Sequence, residues 1–209
     1  MEFNIPSDML DEIQVNIESL INGFDIPDDN KLDVIKKINF MYTRTKQMTL
    51  VDPLTGLYNR RHFDKCFERE FMRAKRYGNA LSIAVIDVDF FKNINDTHGH
   101  SFGDFVLREI AYLATSTVRT TDMIFRYGGE EFAIIFTETD RDSAIIPLER
   151  LRQIIEEHNF RFNNNEIKVT ISIGVSSDTQ AETPQQMFDN ADRALYKAKE
   201  DGRNRIIVE

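Results

Sequence analysis

The chain has 209 residues, 41% of them apolar and 29% charged, which suits one domain of ordinary size with a short appendage and excludes both a large multidomain assembly and disorder throughout. Lys and Arg number 26 against 35 Asp and Glu, and the resulting net charge of −9 disfavours DNA or an anionic membrane as the main partner while leaving room for a nucleotide held through metal ions. A lone Cys66 cannot form an internal disulfide, the start MEFNIPSDML lacks the basic and apolar regions of a secretory signal, and apolar runs such as Phe132 to Phe136 are far too short to span a bilayer, so a cytoplasmic chain without membrane insertion is expected.

Residues 1 to 50 read as two amphipathic helices. Ser7 suits an N-cap ahead of Asp8, Asp11 and Glu12, and Leu10, Ile13, Ile17 and Leu20 repeat at helical spacing until Gly23 and Pro27 stop the run. A second helix opens near Asp29 or Asn30, with Leu32, Ile35, Ile38 and Tyr42 on one side. Two such helices bury little alone, so they must pack on the rest of the chain or on a second copy.

From Thr49 onward helical and strand patterns alternate. Asn59 to Tyr77 is a charged amphipathic helix, and Leu81 to Val88 is a nearly continuous apolar run of β-formers, as expected of a central strand. Gly103 to Val118 reads as helix, and Met123 to Tyr127 with Glu131 to Thr137 flank Gly128-Gly129 as a β-hairpin. A helix over Arg141 to Glu157, a strand over Ile167 to Ser176, a helix over Pro184 to Lys199 and a short strand near Asn204 to Val208 complete the pattern. This order fits the split βαβ of ferredoxin-like α+β folds, which alone names no function.

The placement of acids is more informative. Alternation along the apolar strand puts Leu81, Ile83, Val85 and Asp87 on one face, and Glu130 with Glu131 opens a strand directly after the glycine turn. If the two strands are neighbours, these carboxylates converge at one edge of the sheet as the hard oxygen ligands that Mg²⁺ prefers; otherwise they are solvated ends of a hairpin.

Arg126-Tyr127-Gly128-Gly129-Glu130-Glu131-Phe132 resembles the signature of the GGDEF family of diguanylate cyclases in its GGEEF form. Asp52-Pro53-Leu54-Thr55-Gly56-Leu57-Tyr58-Asn59-Arg60-Arg61, Asp87-Val88-Asp89-Phe90-Phe91-Lys92, Ile94-Asn95-Asp96, Gly99-His100, Gly103-Asp104, Ala194-Leu195-Tyr196-Lys197-Ala198-Lys199 and Gly202-Arg203-Asn204 match in order. The resemblance covers about residues 49 to 209, which sets a cyclase domain over 49–209 behind an N-terminal helical segment, 1–48.

The resemblance implies a nucleotidyl-cyclase palm, with a central, mainly antiparallel sheet flanked by helices. The implied reaction is condensation of two GTP molecules into cyclic di-GMP with release of pyrophosphate, in a homodimer that uses two Mg²⁺ or Mn²⁺ ions in each half-site. By the family pattern Asp87, Glu130, Glu131 and the Val88 carbonyl hold metal, and Glu131 serves the second metal or the hydroxyl proton. Asn95 and Asp104 meet the guanine, whose paired donors suit a carboxylate; Asp104 also suits a helix N-terminus. Lys199, Arg203 and the amides near Phe90 and Phe91 meet phosphates, Lys92 either supports them or caps the loop, and Gly128 and Gly129 line the nucleotide site. The rings of Phe90 and Phe91 are expected to pack rather than stack on a base. Arg119-Thr120-Thr121-Asp122 resembles the family's inhibitory site for its own product, with Arg150 on the next helix completing it. The N-terminal helices are assigned to dimerisation, the alternative being that they cover an apolar patch of their own domain.

Overall fold

The computed structural model describes residues 50–163, 165–177 and 181–209, together with Val34, Lys36, Lys37, Ile38, Met41 and Thr45, all helical. The helix expected to start at Ser7 lies outside the described residues, as does most of the one expected from Asp29. Backbone contacts divide the chain into two units, Met1–Val51 and Asp52–Glu209, and the second carries every strand of the main sheet.

The elements of that unit run β1 (Tyr58–Asn59), α1 (Arg60–Tyr77), β2 (Leu81–Val88), α2 (Phe91–His98), α3 (His100–Thr117), β3 (Met123–Arg126), β4 (Glu131–Thr137), α4 (Arg141–Glu157), β5 (Phe160–Phe162), β6 (Asn165–Ile167), β7 (Ile171–Ser177), α5 (Pro184–Glu200) and β8 (Ile206–Val208). The main sheet has the order β1-β3-β4-β2-β7-β8. Its interior pairings β3–β4, β4–β2 and β2–β7 are antiparallel, and parallel pairs close both edges.

Alternation along the strands feeds two cores. Ala84, Ile86, Val88, Ile134, Ile173 and Val175 pack with Phe102, Val106 and Ile110 of α3 and Leu148 and Leu151 of α4. On the opposite face Leu81, Ile83, Val85, Phe125, Ala133 and Ile135 meet Phe63, Phe67 and Phe71 of α1 and Met187, Ala191 and Leu195 of α5. Local signals set the helix ends. Asn59 accepts the His62 amide at 3.0 Å to start α1, and Gly78, at φ 69°, closes it. Asp140 and Thr183 cap α4 and α5 in the same way as Asn59.

Three expected boundaries change, and one helix appears where no element was expected. Residues 91–98 form a helix of their own, α2, and α3 begins at His100 rather than at Gly103. Ile167 belongs to the separate β5–β6 hairpin, so β7 starts only at Ile171. Arg203 and Asn204 take φ values of 62° and 48°, which no strand accommodates, and the last strand therefore opens at Ile206.

Candidate active site

Strand register brings the acids together. Asp87 stands opposite Glu131 across the β2–β4 pair, and the Val88 amide donates to the Glu130 carbonyl at 3.3 Å. The strands are neighbours, as the convergence of these acids requires. The glycine turn closes on Glu131, whose carbonyl accepts the amides of Tyr127 at 2.8 Å and Gly128 at 3.1 Å. The Glu131 carboxylate folds over Gly128, in the space that a Cβ there would occupy.

Asp87 is buried, and its Oδ2 lies 2.8 Å from Lys199 Nζ, which α5 delivers to the same end of the sheet. Burial pushes the Asp87 carboxyl above the ordinary range; Lys199 and Arg203 pull it back, while the charge of Asp89 adds to the push. Glu130 and Glu131 are raised as well, by burial first and then by the charge of Asp87. Three carboxylates that each resist ionisation form a site short of positive charge. Among the described residues no three His, Cys, Asp or Glu side chains form a ready-made metal cage.

One guanidinium fixes the turn to the rest of the domain. Arg126 Nη1 donates to both oxygens of Asp52, at 3.0 and 3.1 Å, and its Nη2 donates to the Gly129 carbonyl at 2.8 Å. Burial would raise Asp52, but hydrogen bonds from the Thr55 hydroxyl and amide, together with Arg126, hold it below the usual carboxylate range.

Past β2, Phe90 at φ 56° precedes α2, leaving the first amides of that helix open. Phe91 is buried in the core, as expected. Phe90 is not: it is 58% exposed, because its left-handed backbone turns the ring outward, where the Arg203 guanidinium stands 4.4 Å from the ring centroid. Lys92 is exposed on the first turn of α2. Asn95 of α2 faces α3 at Gly103, where a side chain would collide with the Asn95 amide, and the exposed Asp104 follows on the first turns of α3.

Arg119 and Asp122 lie apart from these residues in sequence, in the turn between α3 and β3. Asp122 Oδ2 accepts the Arg119 amide at 3.0 Å, the Asp122 amide returns to the Arg119 carbonyl, and burial raises the Asp122 carboxyl. Arg119 is exposed, as is Arg150 on α4.

Sequence reasoning assigned no part to Asp89 or to the Asp52–Arg126 pair. An acid directly after an eight-residue apolar strand is a signal for the first. The second joins residues 74 positions apart, and no local pattern reveals it.

The profile "Diguanylate cyclase, GGDEF domain" matches residues 49–205. Diguanylate cyclase A of Treponema denticola is 41% identical over 166 residues, covering 78% of this chain and 45% of that protein. Response regulator PleD of Caulobacter vibrioides is 41% identical over 164 residues, 77% of this chain and 36% of its own length. The chain thus spans less than half of these relatives. Among solved structures, the coiled coil and GGDEF domain of DgcB from Caulobacter crescentus, in complex with c-di-GMP, is similar at TM-score 0.83 and 28% identity, over 87% of this chain and 96% of that one. Diguanylate cyclase SiaD from Pseudomonas aeruginosa, in complex with its activator SiaC, is similar at TM-score 0.75 and 33% identity, over 97% of this chain and 80% of that one.

Proposed function

The chain belongs to the GGDEF family, and from that membership we propose that it is a diguanylate cyclase: two GTP molecules condense to cyclic di-GMP, each 3′-hydroxyl attacking the other nucleotide's α-phosphate with release of pyrophosphate. The observation that carries this reading is the meeting of Asp87, Glu130 and Glu131 at one end of the sheet, beside Lys199 and a glycine turn.

The donor set fits Mg²⁺ or Mn²⁺. Mg²⁺ binds through one or two carboxylates plus substrate phosphates rather than through an all-protein cage, and Asp87, Glu130 and Glu131 with the Val88 carbonyl supply hard oxygens. Two such ions, when bound, neutralise phosphate charge and acidify the attacking hydroxyl. Lys199 marks the place, as the cation that faces Asp87 at 2.8 Å. With a nucleotide present it turns from Asp87 to the terminal phosphates, where Arg203 and the Phe90 and Phe91 amides join it and Lys92 adds charge. Gly128 and Gly129 let the nucleotide approach the turn, and Glu131 accepts the 3′-hydroxyl proton.

Asn95 and Asp104 read the guanine, whose N1–H and 2-amino donors pair with the Asp104 carboxylate. Asp104→Asn replaces one acceptor with a donor and should lower kcat/KM for GTP about thirtyfold, with the GTP-to-ATP preference falling alongside and the melting temperature steady. A preference left intact would reduce Asp104 to a helix-terminal acid.

Each site holds one GTP, so two copies must meet face to face, and segment 1–48 raises the local concentration of that encounter. Specific activity should therefore rise steeply with protein concentration and then level off, and deletion of residues 1–45 should move the rise to higher concentration. A concentration-independent rate would contradict the dimer.

Cyclic di-GMP also acts as inhibitor, at Arg119 and Asp122 with Arg150. Arg119 forks onto a phosphate or a guanine edge, and Asp122 swings off the Arg119 amide to accept from guanine N1–H and the 2-amino group. Support comes from the exposure of Arg119 and from the Asp122 Oδ1 atom, which has no hydrogen-bond partner among the described residues. Arg119→Ala should carry the reaction to a several-fold higher product plateau from an unchanged initial rate. Equal plateaus would leave the tetrad as a turn.

A further inference from the structure

Asp89 is buried, and its carboxylate is fully engaged. Oδ1 accepts the Ser172 hydroxyl at 2.7 Å; Oδ2 accepts the Thr170 hydroxyl at 2.7 Å and the Asn204 backbone amide at 3.1 Å. Asn204 is held from its other side by α4, its side-chain NH₂ donating to Glu156 at 2.7 Å and its side-chain oxygen accepting from Arg152 at 2.8 Å. Arg203, one residue earlier, has φ 62°, a conformation an L side chain keeps only when its neighbours impose it. Its amide donates to the Ala198 carbonyl and its carbonyl accepts from Arg205 Nε, both at 2.9 Å, so the backbone is pinned and the guanidinium is aimed at the ring of Phe90.

From this geometry we propose that Asp89 is a positioning residue: through the Asn204 amide it fixes the left-handed turn that carries Arg203, and Phe90, the next residue after Asp89, is the platform that holds the guanidinium facing the phosphate site. One carboxylate thereby sets the aim of Arg203. The inference rests on the phosphate-binding role proposed for Arg203.

The role of Asp89 is to accept hydrogen bonds, not to supply charge. An amide oxygen at position 89 can accept from both Thr170 and Asn204 while the NH₂ donates to the Ser172 hydroxyl, which accepts as readily as it donates. Asp89→Asn should therefore preserve the turn, and Asp89→Ala should release it.

The test is calorimetric binding of 3′-deoxy-GTP and 3′-deoxy-GMP with Mg²⁺, ligands that lack the attacking hydroxyl. Asp89→Ala should weaken the triphosphate about tenfold and the monophosphate less than twofold, while Asp89→Asn loses less than threefold on either. In an Arg203→Ala background, adding Asp89→Ala should cost less than a further twofold, since both act through one contact. Phe90→Leu, at an exposed position that leaves the buried carboxylate alone, should weaken the triphosphate about threefold, and with Asp89→Asn it carries the test if Asp89→Ala does not fold. Equal losses on both nucleotides, Asp89→Asn as damaging as Asp89→Ala, a multiplicative loss in the double variant, or an unaffected Phe90→Leu would each overturn the proposal. An Arg203→Ala variant that binds the triphosphate like wild type would overturn the phosphate reading itself, and the proposal with it.

Discussion

Replacing Asp87 or Glu130 by Ala should lower cyclic di-GMP synthesis about a thousandfold or more, a loss of the size seen when a group that stabilises transition-state charge is removed. The same variants should be no less stable than wild type. Both carboxyls are raised in the folded chain, by burial first. A carboxyl whose folded pKa lies above its unfolded value costs stability at neutral pH, a cost that disappears as pH falls through the folded pKa. Removing it relieves that cost, and Lys199, part exposed, can turn to water. Thermal unfolding at neutral pH, read beside turnover, separates a site from a structural ion pair: an inactive Asp87→Ala protein that melts well below wild type would mark Asp87 as part of the scaffold, and an active one would remove it from the site.

Gly174→Ala should be among the most destabilising single-methyl additions in the domain. Gly174 sits in the middle of β7, and a Cβ there would press into the backbone of α5, at the Ala191 carbonyl and the Leu195 amide. Backbone cannot step aside as a side-chain tip can, so helix and sheet must separate, at a cost of about 3 kcal/mol. For a chain of this size that lowers the melting temperature by about 6–12 °C. Because α5 carries Lys199, GTP affinity should fall too. A melting temperature within two degrees of wild type, on the order of 1 kcal/mol or less, would show that α5 has room to shift.

The contrast between Gly174 and Asp87 shows what the sequence alone made legible. Continuous apolar runs, the second beside a glycine turn, located β2 and β4, and with them the acids, because a strand buried on both faces is apolar at nearly every position. The adjacency of the two strands was a condition rather than a deduction, since pairing joins residues 44 positions apart, Asp87 to Glu131. Residues 91–98 escaped notice as a helix because Phe91 and Ile94 are its only buried positions, too few to set a period. Phe90 was expected to pack like its neighbour, and only its positive φ turns it outward. Gly174 looked like any β-strand glycine; the close approach of α5 that requires it is tertiary. Asp89, Arg152 and Asn204 come from three distant stretches, and their network could not be read before the fold brought them together.

Incubation of the full chain with GTP and Mg²⁺, with nucleotides separated and phosphate products counted, tests the cyclase function most directly. The expected products are cyclic di-GMP and pyrophosphate in a ratio of one to two, with ATP not consumed and no product when the divalent ion is chelated. GTP bound without cyclic di-GMP formed, at protein concentrations that support the dimer, would contradict that function.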